Sequence, residues 1–469
     1  MYLCAIFNHY YTAFSLPGKW GFLIAGWLTG YEYQYCDYTH LGTAYDLERC
    51  KFMPLRRTAA LFGALAVPLM YCITRRMGGG KWAALLAAAF FNWDMLNLIE
   101  SRLILTDSQL MFWMILCLHT GMQYFNRVQE HWAALQRRKG RKDVETYRVW
   151  DWNAPAREAR IMELEDRIFW AIVVGVACGA SVSVKWTGLA TPGLVAVECW
   201  TAAFFLPDSI HILDMLGMLF SALVFYASHF YIHFKLLPRT GDGDAFMSLE
   251  FQRTLVNNSN YDPTAPQVPF LTKFWQLNKE MLLGNARIDQ SHNWESKWYT
   301  WPVNSRGVLY YSNTIDKTKG LTESVYLVGN PAVIWGVLFL LGMAALYAFL
   351  YCRYRNVEVI RKLLFKDRKG IESYFRAVAF CFTCYSLNLI PYIPVTRSCF
   401  VYHYMPALLY GEILAALTVE RWCGRFTPLV AKYILAVVII VFIYYMPWVY
   451  SIALTAEGHE RRRWLPGWN

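Results

Sequence analysis

A chain of 469 residues that is 56% apolar and 17% aromatic but only 17% charged is too apolar to present an ordinary soluble surface. Several of its apolar runs reach or approach the ~20 residues needed to cross hydrocarbon, which excludes a string of soluble domains and points to a polytopic helical membrane protein. The net charge of +11 does not imply nucleic acid, because the basic residues lie between the apolar runs, as the positive-inside rule expects.

Residues 1–57 hold no clean span: the run from Leu3 to Leu28 is interrupted by Asn8, His9 and Pro17 and reads as interfacial helices anchored by Trp and Tyr. No basic segment precedes a compact apolar one, which argues against a cleavable signal peptide. Cys36 and Cys50 share a polar segment and can pair in an oxidising lumen. Ten spans follow, at roughly 58–74, 82–99, 108–125, 168–184, 188–206, 212–234, 332–352, 377–394, 402–419 and 433–450. The intervals that fall on one side carry 24 Lys and Arg in 91 residues, against 21 in 191 on the other, so the dense side is read as cytosolic. Its cluster Arg137, Arg138, Lys139, Arg141 and Lys142 precedes Glu158, Glu163 and Glu165, interleaved with Arg157, Arg160 and Arg167. This reads as a solvated helix beside a topology-setting cluster. The opposite side holds a 97-residue loop from Lys235 to Pro331 and the glycosylation acceptor Asn257-Asn258-Ser259. Near its start Asp242 and Asp244 alternate with Gly241 and Gly243, either as a polar stop after a helix or as a tight turn holding two carboxylates at the membrane boundary. Cys381 and Cys384 form a CxxC inside a span, where packing is the simpler role than metal or redox chemistry.

Ionisable residues gather at span ends on the loop side: Arg56 and Arg57, then Glu100, Ser101, Arg102 and Asp107, then Lys185 with Trp186, and Arg397 ahead of Tyr402-His403-Tyr404. Each alone reads as a snorkelling anchor, but together on one face they suggest a polar pocket. Cations there suit a lipid-linked phosphate, and a neighbouring carboxylate could take a proton from an attacking hydroxyl as the phosphate leaves. That is compatible with glycosyl transfer from a polyprenyl-phosphate sugar. A transporter would place acids mid-span within repeats. Asp94 and Glu198 are the chief mid-span acids, no repeat is visible, and Asp94 reads as the cap of a short or broken helix.

Motifs in fixed order carry a resemblance. They are Gly26-Trp27-Leu28-Thr29-Gly30-Tyr31, Arg56 ahead of Ala60-Leu61-Phe62-Gly63, Ser101-Arg102 with Asp107-Ser108, and Lys185-Trp186 with Gly188-Leu189. Then come Ile232-His233-Phe234, Gly241-Asp242-Gly243 with Ala245-Phe246-Met247-Ser248, His292 and Ser296 with Trp298 and Trp301-Pro302, Gly329-Asn330-Pro331, and Arg397 with Phe400, Tyr402-His403-Tyr404 and Pro406. From about residue 18 the chain resembles the protein O-mannosyltransferase family, of the GT-C class of membrane glycosyltransferases. The resemblance implies an all-α polytopic fold with eleven spans, the first missing here. It implies inverting transfer of mannose from dolichyl phosphate mannose to Ser/Thr hydroxyls of secretory proteins at the luminal face of the endoplasmic reticulum membrane. The division it suggests is a partial luminal loop (1–57), a six-span module (58–234), a luminal loop (235–331) and a four-span module (332–469).

Two departures stand out. The family's Asp-Glu pair is absent, with no acid before Glu32 and Phe14-Ser15-Leu16 where His-Pro-Pro is usual, so the chain reads as a truncated member or, alternatively, as an inactive partner subunit. The MIR domain is also absent, residues 253–290 being too few to hold it. By position Arg56 matches the family's essential arginine, Arg102, Lys185 and Arg397 are donor-phosphate candidates, and Asp107 is expected to hold Arg102. Asp242, Asp244, Glu250 and His292 are loop candidates, with Asp242 and Glu250 as stand-ins for the missing pair. Expected partners are the donor, Ser/Thr acceptors, the bilayer and a second copy or paralogue. No cofactor, metal site or nucleic acid is indicated.

Overall fold

In a computed structural model the chain is described over residues 17–32, 35–36, 45, 48–140, 161–241, 243–287, 291–358 and 368–468. Asp242, the residues before Pro17, and Arg141, Lys142, Arg157, Glu158 and Arg160 of the basic cluster lie outside those residues. Apolar stretches that cannot hydrogen-bond to water fold as helices, and a helix falls on each of the ten apolar stretches. The order is α1 (Pro17–Thr29), α2 (Met53–Arg76), α3 (Lys81–Trp93), α4 (Met95–Glu100), α5 (Asp107–Arg138), α6 (Leu164–Val184), α7 (Ala190–Phe205) and α8 (Ile212–Leu236). After these come α9 (Phe270–Ala286), α10 (Pro331–Tyr354), α11 (Arg368–Leu389), α12 (Met405–Cys423) and α13 (Thr427–Tyr450). Among the described residues six helical runs are long and apolar enough to cross a membrane by length and composition, one of them the continuous run Val401–Tyr450 that contains α12 and α13.

The core explains which helix sits where. Every residue of α12 from Met405 to Val419 is buried, Glu412 and Thr418 included, as expected of a helix enclosed by others. Thr191 on α7 meets Tyr410 on α12 at 3.0 Å, and Glu420 takes the Gly80 amide at 2.7 Å. By contrast α8 exposes Leu213, Leu216, Leu219, Phe220 and Leu223. It reaches α6 through Gly175 and Gly179, where a Cβ would stand 2.4 Å from the Met218 carbonyl and 2.6 Å from that of Ala222. Small residues four apart bring two backbones together, as in membrane helix pairs.

Asp94 breaks the second apolar stretch: α3 ends there, its backbone turns extended, and α4 begins. Its Oδ1 accepts the Asn330 amide at 2.9 Å, while the Asn330 side chain donates to the carbonyls of Trp93 (3.0 Å) and Val438 (3.2 Å) and accepts from Ala332 at the start of α10. The Gly329-Asn330-Pro331 motif is thus a clamp on three segments, the end of α3, the start of α10 and α13.

Three expectations change. The fold is not wholly helical: β1 (Val308–Asp316) and β2 (Leu321–Leu327) pair antiparallel with Val308 opposite Leu327, the chain reversing through Gly320 at φ +60°. The hairpin was missed because only its Val308, Tyr326 and Leu327 end packs on the core, while Tyr311–Ile315 stay exposed. The chain from Lys235 to Pro331 is accordingly built from elements, α9 included, rather than being a plain loop. Arg167 is not solvated: it pairs with buried Asp214 and meets His131 at 2.9 Å, since a carboxylate at the α8 start attracts it inward. Cys36 and Cys50 are joined in a disulfide, and Cys381 and Cys384 are buried thiols.

A cationic cavity at the helix ends

Three chain turns meet at one end of the bundle. Asp107 is the first residue of α5. Lys185 is the single extended residue (φ −150°, ψ 145°) between α6 and the short 3-10 turn Trp186–Leu189. Gly188 holds that turn against α6, where a Cβ would meet the Ser181 carbonyl at 2.4 Å. Arg397 lies in the irregular segment between α11 and the 3-10 turn Val401–Tyr404. Together with Tyr392, Tyr402 and His403 they line a cavity of about 480 Å³.

Inside it, Lys185 Nζ donates to both carboxylate oxygens of Asp107 at 2.7 Å and stands 5.7 Å from the centre of the Tyr402 ring. His403 stacks on Tyr402 at 4.4 Å between centroids. Behind Asp107 lies Glu100, fully buried, which accepts from the Tyr310 hydroxyl at 2.5 Å. Burial first, then the charge of Asp107, pushes the Glu100 carboxyl above the usual range. Burial and the facing Glu100 raise the Tyr310 phenol. The cavity is lined by two basic side chains, Lys185 and Arg397, and one carboxylate, Asp107, a formal surplus of positive charge. Such an arrangement can hold a monoanionic or dianionic phosphate through charge-assisted hydrogen bonds.

Two further cavities flank this one. A space of about 160 Å³ is lined by Gly63, Asn97, Ser101, Arg102 and Ser108, with Met111 common to it and to the larger cavity. Another, of about 340 Å³, is lined by Lys297, Trp298, Tyr299 and Trp301 and shares Tyr392 and Arg397 with the larger one.

The candidate residues therefore divide. Lys185 and Arg397 share a cavity. Arg102 turns the other way, donating to the Val449 carbonyl and lying 4.3 Å from the Tyr450 ring centre. Burial, then the neighbouring Arg56 charge, lowers its pKa. Asp107 consequently holds Lys185 and not Arg102, because the α6 end delivers Lys185 to the start of α5 whereas the turn after α4 sends Arg102 toward α13. Arg56 is exposed and sits 5.2 Å from the Phe52 ring centre. It does not line these cavities. Asp244 Oδ2 accepts from Thr240, from the Gly241 amide (3.3 Å) and from Asn258 (2.9 Å), so it shapes its own loop. Glu250 is exposed and outside the cavities. His292, also exposed, packs edge-on against Phe400 at 5.2 Å. Tyr310 and Tyr392 had no signal in the sequence, whereas Glu100 stood in the polar turn already singled out. Among the described residues no group of three or more His, Cys, Asp or Glu could hold a metal ion.

The fold and site define a class first: a polytopic helical membrane protein with a cationic cavity at one set of helix ends. Residues 15–137 match the family described as dolichyl-phosphate-mannose-protein mannosyltransferase, and residues 270–468 match the C-terminal four-transmembrane region of protein O-mannosyltransferase. The chain belongs to the protein O-mannosyltransferase family. Dolichyl-phosphate-mannose–protein mannosyltransferase 4 of Candida albicans is 28% identical over 46% of this chain and 29% of its own length. Protein O-mannosyl-transferase 2 of Danio rerio is 25% identical over 68% of this chain and 39% of its own length. The alignments thus span well under half of these curated relatives. The solved Saccharomyces cerevisiae protein O-mannosyltransferase Pmt1-Pmt2 complex bound to the sugar donor has a chain that superposes with a TM-score of 0.78 at 16% identity, over 100% of this chain and 88% of that one, which establishes the shared fold.

Proposed function

We propose that this chain transfers mannose from dolichyl phosphate mannose to Ser or Thr hydroxyls of secretory-pathway proteins, with inversion, at the luminal face of the endoplasmic reticulum membrane. The reading takes the ten apolar stretches as spans and puts the Lys235–Pro331 segment in the lumen, as the basic-residue asymmetry suggests. The observation that carries it is the Lys185–Asp107 pair sharing a cavity with Arg397 at the helix ends. Lys185 and Arg397 take the oxygens of the donor phosphate and stabilise the charge that grows on it as the bond to the mannose C1 breaks. Asp107 keeps Lys185 aimed into the cavity. The acceptor hydroxyl forms the new bond on the opposite face of C1 and passes its proton to water, while the bond from C1 to the phosphate oxygen breaks and dolichyl phosphate leaves. Arg56, outside these cavities, balances charge from a distance, and Arg102, held in the neighbouring space by Val449 and Tyr450, does not touch the phosphate. A homodimer or a heterodimer with a paralogue is the working assembly, in line with the Pmt1-Pmt2 relative.

Microsomes carrying the chain should transfer labelled mannose to a Ser/Thr peptide, and Lys185→Ala and Arg397→Ala should each abolish transfer. Transfer that survives both would remove this cavity from the chemistry. Transfer unchanged by Arg56→Ala would remove that arginine alone.

A further inference from the structure

The helix α9 has two apolar faces, and only one is packed. Phe270, Phe274, Leu277 and Met281 recur at helical spacing and join a core with Phe230, Met247 and Phe251. On the outside, Leu271 is 74%, Trp275 70% and Leu282 59% exposed.

Ring contacts fix the course of the helix. Phe270 meets Tyr231 at 5.6 Å and Phe234 at 6.3 Å. One turn on, Phe274 meets Phe230 at 5.1 Å. A further turn on, Asn278 accepts from Tyr226 at 2.6 Å. As α9 advances, its partners on α8 run backwards, so α9 retraces the last turns of α8 in the opposite sense. It ends with Met281 and Leu282 in the wall of the cationic cavity, beside Trp186 and Arg397. Beside and just before the stretch it retraces, α8 is lipid-type, with Leu219, Phe220, Leu223 and Tyr231 each at least half exposed.

We propose that α9 is a short re-entrant helix whose Leu271–Trp275–Leu282 stripe is immersed in the membrane leaflet bordering the cavity, with Leu282 the sill over which a lipid tail passes out of it. The occupant of this stripe is the bilayer. The stripe continues the exposed apolar face of α8, and helix geometry gives α9 a length of about 25 Å, too short to span. Exposed Lys279, between Trp275 and Leu282, carries its stem over the apolar surface and its charge to the headgroups. An indole and a lysine at this level are what a membrane interface selects. The sill rests on the donor reading, but the placement of α9 does not.

Two arms separate the two claims. The full chain carries a benzoylphenylalanine photo-crosslinker at position 271, 275 or 282, in liposomes of radiolabelled phosphatidylcholine. Lipid adducts are expected at all three, and none from the same probe at Ile315, which is 56% exposed on the hairpin. Protein adducts in place of lipid adducts, whether to a second copy or to another segment of this chain, would overturn the placement, as would equal lipid yields at 275 and 315. In the second arm, Leu282→Asn, which adds no charge beside the phosphate, should raise KM by a larger factor for a long-chain polyprenyl phosphate mannose than for a short-chain, water-soluble analogue. Equal KM changes for both donors would remove the sill. A chain that transfers no mannose from either donor would remove the donor reading and the sill with it, leaving the adducts to decide where α9 lies.

Discussion

Replacing Lys185 by Ala separates a phosphate site from a structural ion pair. In the free chain Lys185 faces Asp107 at 2.7 Å, with the two side chains 34% and 11% exposed. A bound phosphate would gain a charge-assisted hydrogen bond from this ammonium worth about 1.5–3 kcal/mol. Its loss should therefore weaken binding by about 10- to 150-fold. The effect should fall toward the upper end, because Lys185→Ala also leaves an uncompensated Asp107 facing the phosphate. Lys185→Ala with Asp107→Asn removes that repulsion and should recover part of the affinity. The same pair governs stability. Truncating one partner of a buried pair costs about 3–5 kcal/mol, and partial exposure of the lysine should bring this nearer to about 2 kcal/mol. The assay is competition binding of labelled dolichyl phosphate to the chain in nanodiscs, with thermal unfolding followed in parallel. A folded Lys185→Ala chain that binds with wild-type affinity would refute the phosphate role, and a double variant weaker than the single one would refute the repulsion.

Other substitutions test other contacts. In Glu100→Gln the amide still accepts from Tyr310 but cannot ionise. A raised carboxyl pKa means that the folded chain keeps this proton to higher pH than the unfolded one, so its contribution is present in acid and lost as pH climbs through the raised pKa. Wild-type melting temperature should fall from pH 5 to pH 9 more steeply than that of the variant, and identical slopes would contradict this. Asn330→Ala strips the clamp between α3, α10 and α13 and should cost about 2–4 kcal/mol, measured by thermal or detergent unfolding. Arg102→Ala loses the Val449 carbonyl and the Tyr450 ring, for about 1–2 kcal/mol of stability. It should leave dolichyl phosphate affinity unchanged, because Arg102 lines a separate space. A large loss of affinity would show that the two cavities act as one.

The sequence shows where the chain is apolar and where its charges stand, and both follow from the cost of placing backbone and charge in hydrocarbon. That is why Lys185 and Arg397 could be grouped before any fold was known: each occupies a turn between apolar runs on the same side. Partner choice is a different quantity. Asp107 and Arg102 are five positions apart and invite pairing, yet the turn between them points one inward to α6 and the other outward to α13, a rotation that hydropathy does not encode. Helix α9 was hidden for a related reason: Lys273, Asn278, Lys279 and Glu280 dilute its apolar content, although its two faces are cleanly separated in space. The hairpin carries an alternation too short and too exposed to register, because only one end of it, from Val308 to Tyr310 and from Val325 to Leu327, is seated against the core. Asp94 was legible as a break, since a lone acid inside an apolar run needs a donor; that the donor is the backbone amide of Asn330, more than two hundred residues away, was not.

Tyr392 and Arg397 form a party wall, each presenting one side to the larger space and another to its aromatic-lined neighbour. A ligand held in one space can therefore act on a ligand held in the other without touching it. Whatever occupancy of the first room does to affinity in the second, the second must do to the first by the same factor.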